Sequence, residues 1–409
     1  MKFTINSLHP IKMLVFAWLL WLIGFFLIPA SYGNVEYTAS GIVTLLSLMF
    51  LFALGVKFVK YLPFKNISTG DMLYVQQPGK RVLNFLFVLG VLGVVLKFFE
   101  HIFLHSAFSY SSLFEYKMSR MYSELNSGGL GVLSALLYPF GLVVLIFQIN
   151  GRYFRNKIKV LFVWLVGVYW FFDALIMSSM TAIVYVFSMV FVAHVIANGL
   201  KGNQTNIPFF RVLLLTVLTI SYFVYLTFFR VDVDFISVSL ESKALFPNFE
   251  VNSVFLFSLL NFLHYVVHGV VEWFRLFNHV GLSNYYFGMY EFYPFVKLFA
   301  FLGFEVPTFS ELASVAHKTG VYTSFWGPFI LDFGALSFGM AFFSGIVSSY
   351  FYKGLFSGNL SSLLIYPVIA MQIIFSPIIN IFSGVIIYYL LSAIISVFLI
   401  KTLSKRIVH

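Results

Sequence analysis

The sequence predicts an all-α polytopic membrane protein of about ten transmembrane helices with one large outer loop that contains interfacial helices. Three observations carry that reading. Hydrophobic residues make up 60% of the 409 and charged residues only 10%, with a mean hydropathy of +0.94, and a soluble chain of this length carries far more charge. Apolar runs long enough to cross a bilayer, about 20 residues each, recur almost from end to end. They are continuous rather than alternating, which favours helices over a barrel. Third, one long stretch, Arg230 to Tyr322, interrupts the pattern with charges of both signs, four of the nine histidines and many aromatic residues.

The spans follow in order. They are Ile11–Pro29, Thr38–Val59, Val82–His105, Gly128–Asn150, Val160–Met177, Met180–Asn198, Val212–Phe229, Thr323–Tyr350, Ser361–Ile379 and Ile381–Ile400. Ile11–Pro29 lacks a small-residue cleavage pattern after it and reads as an uncleaved first helix, with a signal sequence as the alternative. The fifth and sixth spans are separated by Ser178-Ser179 and form a tight hairpin. Thr323–Tyr350 is long and glycine-rich, so its first part is expected to lie outside the bilayer. The chain divides into residues 1–229 with seven helices, the loop 230–322, and 323–409 with three helices and a tail. No repeat of solenoid period stands out. Cysteine is absent, which removes disulfides and thiolate chemistry.

Charge orients the spans. With a cytoplasmic N-terminus the inside segments hold 17 of the 25 basic residues and one of the 15 acids, Asp71. That is the positive-inside pattern. Both termini are then cytoplasmic, and the net charge of +10 reflects topology and contact with anionic lipid rather than nucleic acid. Val251–Val271 is apolar and almost long enough to span, yet a crossing there reverses every later loop. It is expected to lie in the outer interface or over the bundle. Phe292–Phe304 is a second short candidate.

Several constellations invite chemistry. His264 and His268 stand one turn apart with Glu272 a turn beyond. A metal could use that spacing, but polar facing of an interfacial helix explains it better, and neither a metal nor a cofactor is expected. Among the outer basic residues, Arg230 ends the seventh span and Arg275 lies in the loop, where an arginine offers a fixed fork of donors to phosphate. Glu291 and His317 are candidate bases, although spacing alone does not choose among the outer carboxylates. Lys97, Glu100, His101 and His105 form a polar run at the outer end of the third span. Snorkelling to the interface is the simpler account of them, and a proton-coupled transporter the functional one.

At the eighth span, Val321-Tyr322-Thr323, then Gly327-Pro328-Phe329 and Asp332-Phe333-Gly334, resemble the oligosaccharide repeat-unit (O-antigen) polymerases, the Wzy family of bacteria. In that family a similar Val-Tyr-Thr closes the large periplasmic loop and an Asp-Phe-Gly opens the next helix. The layout of helices around one large loop is similar over most of the chain, while the motif itself covers about 25 residues. Where members often carry arginine at the Ser/Thr-rich hairpin, this chain has Met180. Arg120 to Gly131 has the Arg-x10-Gly spacing described for such polymerases, in a different outer loop.

The resemblance implies an enzyme that polymerises glycan repeats carried on undecaprenyl pyrophosphate, for O-antigen or capsule, at the outer face of the bacterial inner membrane. It implies Arg230 and Arg275 on the pyrophosphate, His317 or Glu291 as base or acceptor-orienting group, and Asp332 as a structural or positioning group. Tyr322, Thr323, Trp273 and Arg120 are the further substrate-binding candidates, Trp273 by stacking on sugar as Trp326 and nearby tyrosines can. The implied partners are the lipid-linked oligosaccharide, membrane lipid and a chain-length regulator protein. A ligase of related architecture, a flippase or other transporter, and a non-enzymatic scaffold or channel are the competing functions.

Overall fold

The computed structural model describes residues 2–28, 30–32, 35–62, 78–110, 115–116, 128–151, 153–176, 180–206, 208–230, 246, 253–307, 311–312, 323–382, 384 and 386–405. The described helices, in order, are α1 (Pro10–Leu27), α2 (Ala39–Phe58), α3 (Lys80–Phe99), α4 (Gly128–Leu137), α5 (Pro139–Gly151), α6 (Lys157–Gly167), α7 (Tyr169–Ile176), α8 (Met180–Leu200), α9 (Phe209–Arg230), α10 (Val254–Val280), α11 (Tyr293–Phe301), α12 (Trp326–Phe333), α13 (Ser337–Phe356), α14 (Leu360–Ile374) and α15 (Ile386–Lys405). One two-residue pairing, Lys2–Phe3 against Thr205–Asn206, ties the N-terminal segment to the α8–α9 connection.

Nine of the described helical stretches are long and apolar enough to cross a membrane, as expected of a helical multi-pass membrane protein. Eight coincide with predicted spans, and the ninth is Val254–Val280. The remaining predicted spans are also helical: α9, and α14, which has only 15 residues with Pro367 inside it. In lipid the packing of helices depends on close approach at small residues more than on burial from water. The pair α2 and α13 shows this. A Cβ on Gly55 would overlap the carbonyl oxygen of Phe342, and one on Gly345 would overlap that of Phe52.

The bundle has two distinguishable ends. At one, Tyr352 meets His9, with ring centroids 5.1 Å apart, and Lys353 Nζ donates to the carbonyl of Val59 at 3.1 Å. That end gathers the N-terminal segment and the C-termini of α2 and α13. The other end carries the α1–α2 and α14–α15 connections, and α10 lies against it. Phe257 and Leu260 pack beside Ile28. Trp21 Nε1 donates to the Val267 carbonyl at 2.9 Å. Asn278 Nδ2 donates to the Glu36 carbonyl at 2.7 Å. Both halves of α10 therefore meet the same connection and the last turns of α1. By length and composition α10 can cross a membrane, and its contacts are with the end of the bundle that carries the α1–α2 connection. α10 is no separate unit, because Val270, Trp273, Phe274 and Phe277 belong to the main core.

Candidate functional site

The Asp332-Phe333-Gly334 stretch closes α12 and fixes the loop that follows α10. Asp332 Oδ1 accepts the backbone N–H of Tyr290 at 2.9 Å, and Oδ2 accepts that of Glu291 at 2.6 Å. The Asp332 carbonyl accepts Phe287 N–H at 2.8 Å. Gly334 has φ +49°, where a side chain is strained, and a Cβ there would stand 2.5 Å from the Leu282 carbonyl oxygen. The motif thus works as a clamp made of one carboxylate and one glycine. What it holds is Glu291.

Glu291 is 1% exposed. Its two oxygens both accept from Asn380 Nδ2, at 2.8 and 2.7 Å. The same nitrogen donates to the Phe325 carbonyl at 3.1 Å. Asn380 sits in the non-helical α14–α15 connection, which Gln372 also braces by accepting Ile381 N–H at 2.7 Å and donating to the Ile379 carbonyl at 3.1 Å. Burial pushes the Glu291 carboxyl well above the usual carboxylate range, and the Asp332 charge adds to this while the Asn380 hydrogen bond opposes it. Such a group holds its proton more tightly than an ordinary carboxyl, as an acid–base group in a dry site does.

A cavity of about 200 Å³ reaches Glu291. Its walls are apolar and come from α2, α12, α13, α14 and α15, with Phe52, Phe329, Met340, Phe343 and Leu390 among them. Phe343 is 56% exposed on the outside of the bundle, so the cavity lies close to the face that meets lipid. The arrangement is a buried carboxyl at the head of a greasy recess.

The other predicted site residues fall variously. Thr323 precedes α12, and its carbonyl accepts Gly327 N–H at 3.1 Å. Arg275 lies on α10 and pairs with Glu272, its side chain 27% exposed. Trp273 is fully buried and stacks on Phe277, with centroids 5.3 Å apart. Trp326 is equally buried against Phe325. Both are core side chains, with no exposed ring face. Arg120, His317 and Tyr322 lie outside the described residues, and Arg230 is described only as the last residue of α9. His264 stacks between Tyr32 and His268, and among the described residues no group of three metal-ligating side chains forms.

Two features escape a reading of the sequence. Asn380 looks like a gap between the ninth and tenth spans. The signal is there: a lone amide in an apolar stretch needs a partner. The second is the run Lys97 to His105, for which snorkelling is the simple expectation. Glu100 and His101 are both fully buried, and the chain there widens into a π-turn, Glu100–Leu104, a device frequent at functional positions. Compared with protein-family models, curated proteins and solved structures, the chain matches none.

Proposed function

We propose that the protein is a membrane glycosyltransferase that polymerises undecaprenyl-pyrophosphate-linked oligosaccharide repeat units into O-antigen or capsular polysaccharide. The observation that carries the reading is Glu291, a buried carboxyl with a raised pKa at the head of an apolar cavity. The resemblance of Val321–Gly334 to repeat-unit polymerases supports it, since this stretch supplies the clamp that holds Glu291. The bias of basic residues supports a topology with the α10 end outside and both termini in the cytoplasm, and in this reading the membrane is the bacterial inner membrane.

In this reading the acceptor sugar hydroxyl gives its proton to Glu291 as its oxygen attacks the donor's anomeric carbon. The bond from that carbon to the pyrophosphate oxygen breaks, and the leaving group takes the electron pair. Arginine stabilises the charge that develops there. Arg230, at the end of α9, is the first choice for that task, with Arg275 second. Deletion of the gene in its source bacterium is the test, with surface glycan read on a gel. The reading expects a single repeat on the acceptor and a long ladder restored by the gene but not by its Arg230→Ala or Glu291→Gln variant. Full-length glycan left on its lipid carrier would indicate a ligase instead.

A transporter is the second reading, and one observation favours it. Two helices are interrupted side by side, at Tyr138 before Pro139 and at Val168 after Gly167, with the Tyr138 and Tyr169 rings 6.2 Å apart. Broken helices beside buried charges are features of transporters. Translocation of a labelled lipid-linked glycan in vesicles without polymer formation would select it.

A further inference from the structure

The α10–α11 connection carries a residue that its own backbone disfavours. Tyr286 to Met289 form a turn, closed by the Met289 N–H on the Tyr286 carbonyl at 3.1 Å. Both central residues have positive φ, +51° at Phe287 and +89° at Gly288. That is the pattern of a type I′ turn, whose first central position normally takes asparagine, aspartate or glycine. A phenylalanine there crowds its own backbone, and such a conformation persists only where the surroundings over-determine it. Here they do. Phe287 N–H donates to the Asp332 carbonyl at 2.8 Å, and the Asp332 carboxylate takes the N–H groups of Tyr290 and Glu291 just beyond.

Packing does not offset the strain, because Phe287 is 71% exposed. Its ring lies beside that of Tyr285, which is 45% exposed, with centroids 6.2 Å apart and planes inclined by 30°. Both residues lie outside the described helical stretches long enough to cross a membrane, and Ser283 before them is exposed as well. Insertion of an apolar group into lipid is non-directional, and a relaxed turn would serve it equally. A ring held at a fixed angle suits stacking, which is directional. A sugar ring offers the matching surface, since its C–H bonds form an apolar face that meets the electron-rich face of an aromatic ring.

We propose that Phe287 and Tyr285 form a stacking platform for a sugar ring of the glycan, presented by the same loop that carries Glu291. The proposal rests on the glycosyltransferase reading and assigns two positioning residues to it. Asp332 holds both ends of the segment from Phe287 to Glu291, so platform and carboxyl keep one spacing.

The test uses the full chain in phosphatidylcholine nanodiscs. The probe is the oligosaccharide that mild acid releases from the surface glycan of the source bacterium. Saturation-transfer NMR, with irradiation of aromatic protons, reads which sugar protons touch a ring. The expected result is transfer to the C–H protons of one sugar. Binding should weaken about two- to tenfold in Phe287→Leu and in Tyr285→Leu, the usual size of an aromatic contact. Phe287→Tyr should bind as the wild type does. Phe287→Asn suits the turn, so it should melt no lower than the wild type while losing the same binding, which separates a lost contact from a lost fold. Wild-type binding by Phe287→Leu, which keeps an apolar side chain, would overturn the platform and leave these rings to the lipid interface. Absence of transfer in the wild type would overturn it too. The gene deletion tells the two failures apart: a lost ladder leaves the polymerase reading standing without this platform, and an unchanged ladder ends both.

Discussion

Two pairs of carboxylates, all but Asp173 buried, sit at the same end of this bundle, and they are satisfied in opposite ways. Asp332 and Glu291 are met by neutral donors: backbone N–H groups on one, the Asn380 amide on the other. Glu100 and Asp173 are met by groups that carry or can carry positive charge, Lys97 and His101. A cationic partner stabilises a carboxylate as an anion, whereas a neutral amide in a dry pocket leaves much of the desolvation cost in place. The first set therefore holds a carboxyl ready for proton transfer beside an open cavity. The second sets a lysine and an imidazole against its carboxylates. The residue types are the same, and the partners separate the two roles.

The sharpest way to break this contrast is to neutralise Glu291. Glu291→Gln keeps the shape of the protonated acid and an oxygen for Asn380, so the fold should survive. Polymer formation should fall by about 10²- to 10⁴-fold, the usual contribution of a general base. Stability supplies a second readout. With its folded pKa raised, Glu291 contributes stability that is fully present below its unfolded value of 4.5. That stability is lost as the pH rises through the folded value. The melting temperature of the wild type in detergent should decline over that rise more than that of Glu291→Gln. Equal slopes would mean that Glu291 ionises freely and that the contrast with the second set is wrong.

Next in size is Asp332→Ala. It leaves the buried N–H groups of Tyr290 and Glu291 without their acceptor, at about 1–3 kcal/mol each. The melting temperature should drop clearly, and activity should fall with it because Glu291 loses its mooring. Asp332→Asn, which keeps one acceptor, should lie between this variant and the wild type. Gly269→Ala tests the helix above. A Cβ there would overlap the carbonyl oxygen of Ile378, two residues before Asn380, so α10 must shift away from the α14–α15 connection at a cost of about 1–3 kcal/mol. Limited proteolysis of the α10–α11 connection should accelerate in this variant. An unchanged cleavage rate would separate α10 from the site.

Most of the spans are legible in the sequence because a continuous apolar run of bilayer length has few uses outside a membrane. The helix α10 itself is legible too, since Leu263, Val266, Val267 and Val270 recur at helical spacing. The Asp332-Phe333-Gly334 motif can be recognised, but its action cannot. A clamp on backbone N–H groups some forty residues earlier depends on contacts that no local pattern encodes. Trp273 is a related case: an aromatic residue in a polar segment suggests a sugar platform, and its burial in the core is a matter of packing that no local pattern encodes. The run from Lys97 to His105 misleads because its position near a span end matches snorkelling, while its partners, Tyr116, Ser134 and Asp173, come from three other segments of the chain.

The smallest effect on stability is expected from Arg275→Lys, and it bears on the arginine chemistry that the sequence suggests. Arg275 faces Glu272 one turn back on α10 and is partly open to its surroundings. Lysine keeps the charge and can reach the same carboxylate, so the melting temperature should change by the equivalent of less than about 1 kcal/mol, in the range of exposed ion pairs. Lysine lacks the planar fork, however, and a fork is what grips two phosphate oxygens together. If Arg275 serves the leaving pyrophosphate, polymer yield should drop far more than stability does. If both stay at wild-type levels, its task is to satisfy Glu272, and the burden of the leaving group passes to Arg230. The two arginines are then separated as the two carboxylate sets are, by the partner each one meets.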